Sequence, residues 1–168
     1  MLHLEPACLA DRPSLSTAAL PMAHAHHKPA PDLDQGTLSV PNEQRAMDEA
    51  QNHVIALAEK RGFPKASLFA VRLALHEAIM NAFRHGHKGL APTVPVHVKF
   101  QVSDQHIDLT VEDQGPGFDP QDVPDPTLEE NLERGSGRGL LLIRAYMSIV
   151  EYNAKGNALR MVYDKPGS

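Results

Sequence analysis

Two polar residues one helical turn apart, Glu77 and Asn81, stand in an otherwise apolar segment of the chain. Residues four apart share a face of an α-helix, so a carboxylate and a carboxamide are expected to lie side by side. A carboxamide oxygen suits Mg²⁺, which prefers hard oxygen ligands and usually keeps phosphate oxygens and waters as the rest of its shell. Glu77 would then be placed to take a proton from an attacking hydroxyl group or water. An ordinary polar pair on an amphipathic helix has the same pattern, so these two residues do not decide the matter alone.

A second feature is the segment Asp113-Gln114-Gly115-Pro116-Gly117-Phe118, which directly follows a predicted strand. The Asp113 carboxylate can accept a hydrogen bond from an exocyclic amine such as that of adenine. Gly115 and Gly117 would let a base approach the backbone closely. Phe118 is expected to pack into the core rather than to stack on the base. A plain turn at the end of a strand uses the same residue types, so this segment also needs support from its context.

The third feature is Gly135-Ser136-Gly137-Arg138-Gly139-Leu140, which leads into a predicted helix. Successive N–H groups at the start of a helix, together with the helix dipole, form a phosphate-binding site. Arg134 and Arg138 could each reach a terminal phosphate, although an arginine beside a loop is more commonly solvated. A flexible linker is the alternative interpretation, but a linker rarely leads directly into an apolar run such as residues 140–143.

Residue spacing excludes several other sites with recognisable motifs. The chain contains no Gly-x-x-x-x-Gly-Lys-Ser/Thr segment, and residues 135–139 do not follow the Gly-x-Gly-x-x-Gly spacing of a dinucleotide fold. His76-Glu77 begins a zinc-protease pattern, but Met80 occupies the position of the second histidine. The basic residues and Gly86 within residues 84–87 are explained by the end of a helix, where cations and a glycine are favoured.

Residues 1–36 are expected to form a disordered or extended tail, and residues 37–168 a single domain. The first segment has prolines at positions 6, 13, 21, 29 and 31 and no sustained apolar periodicity, so it buries too little surface to offset chain entropy. After it, the pattern predicts a strand at 37–40 and two helices, one ending at Gly62 and one beginning at Pro64. Apolar residues repeat with helical spacing in both helices: Met47, Ala50, Val54 and Leu57 in the first, and Leu68, Val71, Leu75, Ala78 and Ala82 in the second.

In the second half of the chain the residue pattern predicts mostly strands. Alternating apolar residues indicate strands at 94–102 and 107–111, followed by a polar, proline-rich stretch over 120–134. A helix over about residues 138–147 and a hairpin with strands at 149–154 and 158–163 complete the pattern. Helices followed by such strands predict an α+β fold, a two-layer sandwich in which helices cover one face of a mixed, mostly antiparallel sheet.

Composition restricts the class of protein. With 42% hydrophobic and 22% charged residues, the chain resembles a soluble globular protein. A formal net charge of −5 argues against a general nucleic-acid-binding role, and no run of about 18 apolar residues is present to span a membrane. Cys8 is the only cysteine, so no disulfide can form within the chain and a cytoplasmic location is expected.

Taken in order, the three features resemble the ATP site of the GHKL ATPase superfamily, whose fold is called the Bergerat fold. Residues 77–82 resemble its N box, residues 113–118 its G1 box and residues 135–140 its G2 box. Within the superfamily, the stretch from Glu77 to Gly86 and the ending from Arg144 to Asn157 are most similar to anti-sigma-factor serine/threonine protein kinases of the RsbW type. The resemblance covers about residues 37–163.

This resemblance implies a site for ATP and Mg²⁺. Asn81 would be the Mg²⁺ ligand, Glu77 the catalytic base and Asp113 the group that recognises adenine. Residues 120–134 would form a lid over the nucleotide. The remaining nucleotide contacts would come from the glycine-rich segments: Gly115, Gly117, Arg134, Gly135, Gly137, Arg138, Gly139 and Leu140.

The resemblance also implies a partner-switching regulator. Such a kinase phosphorylates a serine of a small STAS-domain anti-anti-sigma protein and, in the alternative complex, sequesters a sigma factor. A homodimer is expected, without direct contact to nucleic acid or to a membrane. Two other functions remain open: an ATP-binding regulatory module without phosphotransfer, and the catalytic domain of a histidine kinase. The latter requires an upstream helical hairpin with a phosphoacceptor histidine, which the pattern of residues 1–36 does not predict.

Overall fold

The computed structural model describes residues 33–91, 93–119 and 138–167. The elements in these ranges are, in chain order, strand β1 (Asp34–Val40), helix α1 (Gln44–Lys60), helix α2 (Lys65–Asn81), a π-helical turn (Ala82–Gly86), strands β2 (Val96–Val102) and β3 (His106–Glu112), helix α3 (Arg138–Tyr146), and strands β4 (Ile149–Tyr152) and β5 (Ala158–Asp164). Most of the predicted tail and all of the predicted lid lie outside the described residues.

The strands form one sheet in the order β1-β2-β3-β5-β4. All four pairings among these described strands are antiparallel, with no parallel pair among them. The alternation predicted for β2 is realised: Val96, Val98, Phe100 and Val102 are buried, whereas Lys99 and Gln101 on the other face are exposed. The sheet therefore buries one face, as a two-layer sandwich requires.

Helices cover the buried face of the sheet, and α2 is the central one. It contacts α1 on one side and α3 on the other, and it packs against β3. Leu75 and Ile79 of α2 are fully buried together with Ile107 and Leu109 of β3. The predicted α+β sandwich is thus confirmed, and the helix that carries Glu77 is held by contacts on three sides.

The opposite face of the sheet is polar. Lys99 pairs with Glu112 at 2.8 Å, and Arg160 pairs with both Asp108 and Glu151 at 2.7 Å. None of the helices in the described ranges has the length and apolarity needed to cross a lipid bilayer. The charged side chains named on this outer face are thus paired with one another.

Strand β1 begins at Asp34, earlier than the predicted start at residue 37. Asp34 pairs with Val102 in the sheet, and its carboxylate accepts hydrogen bonds from Nε and Nη2 of Arg61 at 2.9 and 2.8 Å. The alternation rule missed these residues because Asp34 and Gly36 are not strand-forming types. Long-range contacts, not local propensity, extend the strand into the predicted tail.

Candidate functional site

Helix α2 presents Glu77 and Asn81 toward the N-terminus of helix α3. Both side chains are only partly exposed. Leu75 and Ile79, on the opposite side of α2, are fully buried, and a helix buried along one stripe has its rotation about its own axis fixed by packing. The two polar side chains are therefore held on one side of the helix by the core behind them.

The first turn of α3 packs directly on these two side chains through Gly139. A Cβ atom built at Gly139 would lie 2.5 Å from Oε2 of Glu77 and 3.3 Å from Nδ2 of Asn81. A real Cβ atom does not come as close to a carboxylate oxygen as the first of these distances. Glycine thus lets the start of a helix approach the pair, and the leading N–H groups of that helix, which carry partial positive charge, lie beside a carboxylate.

The second carboxylate of the site, Asp113, lies buried just beyond β3, with 7% of its surface exposed. Its Oδ1 accepts a hydrogen bond from the N–H of Gly115 at 2.8 Å. Burial raises the pKa of the Asp113 carboxyl above its ordinary value, although the Gly115 bond and the nearby His87 and Lys155 act in the opposite direction. Burial of this carboxylate is energetically unfavourable, and the Gly115 hydrogen bond holds it in place. Buried carboxylates with a shifted pKa are common at functional sites.

Gly86, the last residue of the π-helical turn that follows α2, lets Asp113 approach the end of this turn. A Cβ atom at Gly86 would overlap the Asp113 carboxylate, and one at Gly115 would overlap the carbonyl oxygen of Gly86. The two glycines and the carboxylate therefore pack against each other without side chains between them. Gly86 was explained from the sequence as an ordinary helix stop, and that explanation was incomplete, because the close approach of Asp113 requires glycine at this position.

A π-helical turn produces this approach. The His87 N–H donates to the Ala82 carbonyl oxygen at 3.0 Å, a bond between residues five apart. Such turns widen a helix locally and occur frequently at functional sites. His87 continues the contact with the Asp113 segment, since its Nε2 accepts the Gln114 N–H at 3.3 Å. No pattern in the sequence indicated the π-helical turn.

The glycine-rich loop after Asp113 packs against the turn between β4 and β5. The Phe118 N–H donates to the carbonyl oxygen of Lys155 at 3.1 Å. Gly117 has a φ of +79°, which side chains disfavour, and a Cβ there would also overlap the same carbonyl oxygen. The prediction that Phe118 packs into the core is wrong. It is 41% exposed and meets Tyr152 edge to face at a centroid distance of 4.9 Å, because its backbone is bonded to the turn between β4 and β5.

The two carboxylates lie beside different turns of one continuous helical segment, Glu77 within α2 and Asp113 against Gly86 at the segment's C-terminal end. Glu77 and Gly86 are nine residues apart along α2 and the π-helical turn, which corresponds to about 13 Å of helix length. Glu77 and Asn81 meet the start of α3 at one end, and Gly86 meets Asp113 at the other. The site is therefore elongated, with the N-terminus of helix α3 at one end and a buried hydrogen-bond acceptor at the other.

The donor set of this site fits a magnesium nucleotide. The Asn81 carboxamide supplies a hard oxygen of the kind that Mg²⁺ prefers, and the space that a side chain at Gly139 would fill lies directly beside it and the Glu77 carboxylate. A buried carboxylate with one oxygen already bonded to Gly115 suits an amino group as its second partner.

The structure describes only some of the other predicted site residues. Leu140, in the first turn of α3, is buried with 8% exposed, so it anchors the helix start in the core. Arg138 is the first residue of α3. Arg134, Gly135 and Gly137, together with the whole of the predicted lid at 120–134, lie outside the described residues.

Comparison with known proteins adds an independent line of evidence. Residues 40–163 match the histidine kinase-like ATPase domain family. The serine-protein kinase RsbW of Oceanobacillus iheyensis is 28% identical over 137 residues, which cover 78% of this chain and 86% of that protein. The serine-protein kinase RsbW of Bacillus licheniformis is 31% identical over 102 residues, or 56% of this chain and 62% of that protein. The serine-protein kinase RsbW of Listeria innocua is 26% identical over 124 residues, which cover 70% of this chain and 78% of that protein.

The family match runs from the last residue of β1 into β5 and so includes both ends of the elongated site. It therefore covers the segment of α2 that carries Glu77, the loop that carries Asp113 and the start of α3. The resemblance inferred from the three sequence features is confirmed, and this chain belongs to the histidine kinase-like ATPase family.

Proposed function

We propose that this chain is an ATP-dependent serine/threonine protein kinase that acts as an anti-sigma factor in partner switching. The observation that carries the proposal is the meeting of Glu77 and Asn81 with the start of α3 at Gly139. Phosphoryl transfer requires a group that positions or deprotonates the attacking hydroxyl, an oxygen ligand for a cation and donors for phosphate oxygens. These three are adjacent here. The similarity to proteins named serine-protein kinase supports the same function.

Asp113 recognises the adenine end of ATP in this proposal. Its buried carboxylate accepts a hydrogen bond from the 6-amino group, while Gly86 and Gly115, which pack against this carboxylate and each other, fix the position of the acceptor. A buried acceptor discriminates strongly, because a ligand that lacks the matching donor leaves the acceptor unpaired. Gly117 shapes the same loop through its positive φ.

Asn81 and the start of α3 hold the phosphate end. The Asn81 side-chain oxygen is the proposed ligand for Mg²⁺, which when bound neutralises charge on the phosphates. The leading N–H groups of α3 around Gly139 and Leu140 donate to phosphate oxygens. We assign further phosphate contacts to Arg134, Gly135, Gly137 and Arg138, and the role of a lid to residues 120–134, on the basis of the family resemblance.

Glu77 is the proposed catalytic base. The serine oxygen of the partner forms a bond to the γ-phosphorus while the bond from that phosphorus to the β-γ bridging oxygen breaks, and ADP leaves. The serine proton passes to the Glu77 carboxylate. Glu77 is partly exposed, which suits a group that must meet a hydroxyl from another protein.

The proposed substrate is a small STAS-domain anti-anti-sigma protein with an acceptor serine. In the alternative complex the chain binds a sigma factor, so that phosphorylation of the STAS protein decides which partner is held. We further propose that the chain works as a homodimer in the cytoplasm. These assignments rest on the resemblance to RsbW-type kinases.

Incubation of the full chain with γ-labelled ATP, Mg²⁺ and candidate STAS-domain proteins tests the function. The proposal predicts label on a serine of the STAS protein. Label retained on a histidine of this chain would instead identify a histidine kinase. ATP binding without transfer to any candidate would identify a regulatory module that only binds the nucleotide.

A further inference from the structure

Both main-chain polar groups of Asp113 are bonded to a single residue, Asn157. The Asp113 N–H donates to the Asn157 carbonyl oxygen at 2.9 Å, and the side-chain Nδ2 of Asn157 donates to the Asp113 carbonyl oxygen at 2.9 Å. Asn157 is buried, with 6% of its surface exposed. Since Glu112 and Ala158 form the last pair of β3 and β5, Asn157 extends the pairing to the residue that carries the buried carboxylate.

Asn153 fixes the orientation of the Asn157 side chain. Nδ2 of Asn153 donates to Oδ1 of Asn157 at 2.9 Å. Oδ1 of Asn153 accepts the N–H groups of Asn157 and Ala158 at 3.0 and 3.2 Å. Rotation of the Asn157 carboxamide would break its bonds to both Asn153 and Asp113. The two asparagines therefore form a clamp in which the donor end of Asn157 must face Asp113.

The backbone clamp and the packing around the carboxylate act on the same residue. With its N–H and carbonyl groups bonded to Asn157, Asp113 can move its carboxylate only by side-chain rotation. Gly86 packs against the carboxylate on one side, and the Gly115 N–H holds Oδ1 at 2.8 Å. The remaining oxygen is thus placed by contacts that all depend on the position of the Asp113 backbone. Hydrogen-bonded groups of this kind must be held to within a fraction of an ångström to recognise a ligand.

We propose that Asn157 is a positioning residue that sets the preference of the site for 6-amino over 6-oxo purine nucleotides. It acts through Asp113, by holding the backbone at the place from which the carboxylate meets the 6-amino group. This inference rests on the proposed ATP site. Replacing Asn157 leaves the Asp113 carbonyl and the Asn153 amide without their partners, and the carboxylate is then no longer restricted to one position.

The test compares the dissociation constants of ATP and ITP, which carries an oxygen in place of the amino group. Wild-type protein should prefer ATP, because the Asp113 carboxylate can pair with an amino group and not with a carbonyl oxygen. Asn157→Ala should reduce this preference about tenfold, mainly through weaker ATP binding. Asn42→Ala, the same substitution at an exposed position, should leave it unchanged. If Asn157→Ala does not fold, Asn153→Ala carries the test with the same expected result.

A double-variant cycle separates positioning from a structural role or a direct contact. Asp113→Ala should abolish the preference for ATP, and adding Asn157→Ala should change the preference no further. An equal loss of ATP and ITP binding in Asn157→Ala, with the preference intact, would show a merely structural role and overturn the inference. If Asp113→Ala leaves part of the preference and the double variant loses that remainder, the inference is also overturned, because Asn157 would then act on the nucleotide without Asp113. If Asp113→Ala keeps the full preference, the adenine site of the proposed function fails as well.

Discussion

The α-carbon of Gly139 lies directly against the carboxylate of Glu77, so that a Cβ atom at position 139 would come within 2.5 Å of Oε2. Glu77 lies in α2 and Gly139 in the first turn of α3, and these two helices are in extensive contact. The contact places the proposed base beside the helix start that is proposed to bind phosphate. The position of α3 along α2 therefore determines the geometry available for phosphotransfer.

A methyl group at Gly139 should damage this end of the site. In Gly139→Ala the added carbon must displace either the Glu77 carboxylate or the helix start, and it also approaches Asn81. We expect ATP affinity to fall about tenfold or more and phosphotransfer to fall further, because misplaced catalytic groups lose rate steeply. Titration calorimetry with ATP and a kinase assay measure the two effects.

Gly89→Ala is the matched control for this substitution. Gly89 has a φ of +82° and no heavy atom within 4 Å of an added Cβ. Alanine there should cost about 1 kcal/mol of unfolding free energy through backbone strain and leave ATP affinity unchanged. Wild-type ATP affinity in Gly139→Ala would contradict the close contact between the two helices.

Asp113→Asn should stabilise the nucleotide-free protein while weakening ATP binding. Burial raises the pKa of the Asp113 carboxyl, so the folded chain holds this proton more tightly than the unfolded chain. The unfolding free energy then falls as pH rises from the ordinary pKa through the raised one. Asparagine does not ionise, so the unfolding free energy no longer decreases with pH at this position, and the melting temperature at neutral pH should rise. The variant also loses the charge of the group proposed to accept a hydrogen bond from the 6-amino group, so ATP should raise the melting temperature less than in wild type.

Thermal unfolding with and without ATP, from acidic to neutral pH, measures both effects. In wild type the affinity for ATP should decline as pH falls through the raised pKa of Asp113, because the carboxyl group becomes protonated. Asp164→Asn, at an exposed position of the last strand, is the control and should behave as wild type. An Asp113→Asn protein that is less stable than wild type and binds ATP equally well would refute the role of this carboxylate.

Arg61 should be important for stability because it ties β1 to the rest of the sheet. Its side chain is 7% exposed and bonds to Asp34 at 2.8 Å and to Asp104 at 3.1 Å. The hydrogen bond from Arg61 lowers the pKa of Asp34. A lowered pKa means that the pair contributes stability above the ordinary pKa of 3.8, and that this contribution is lost as pH falls through the lowered value.

Arg61→Ala should therefore lower the melting temperature at neutral pH, with a smaller difference from wild type in strong acid. Arg45→Ala is the control, since Arg45 is 90% exposed and pairs only with Glu49 on the surface of α1 among the described residues. Exposed pairs of this kind contribute little, so its melting temperature should match wild type. Equal melting temperatures for the two variants would show that the attachment of β1 does not depend on Arg61.

Local patterns predicted the fold well because they reflect local causes. The alternation of apolar and polar residues identified β2 and β3, and the helical spacing of apolar residues identified α1 and α2. Each face of such an element meets a single environment. The same logic placed Glu77 and Asn81 on one face. These predictions required only the spacing of residues along one element.

The features that the sequence missed depend on contacts between distant segments. Gly86 looked like a helix stop, and its need for glycine is visible only where Asp113 packs on it. Asn157 sits in a turn where asparagine is common, and its bond to the Asp113 carbonyl oxygen joins residues 44 apart in the sequence. Phe118 was assigned to the core by its type, but its place on the loop leaves it 41% exposed. No periodicity encodes such relationships.

The role of Glu77 is the central claim, and Glu77→Ala tests it most directly. ATP affinity and the rate of serine phosphorylation on the proposed STAS-domain partner should be measured side by side for wild type, Glu77→Ala and Glu59→Ala, which removes an exposed carboxylate of α1. We predict that Glu77→Ala binds ATP nearly as wild type does but phosphorylates serine at least about 100-fold more slowly, whereas Glu59→Ala keeps both properties. Phosphorylation by Glu77→Ala at the wild-type rate would contradict the account.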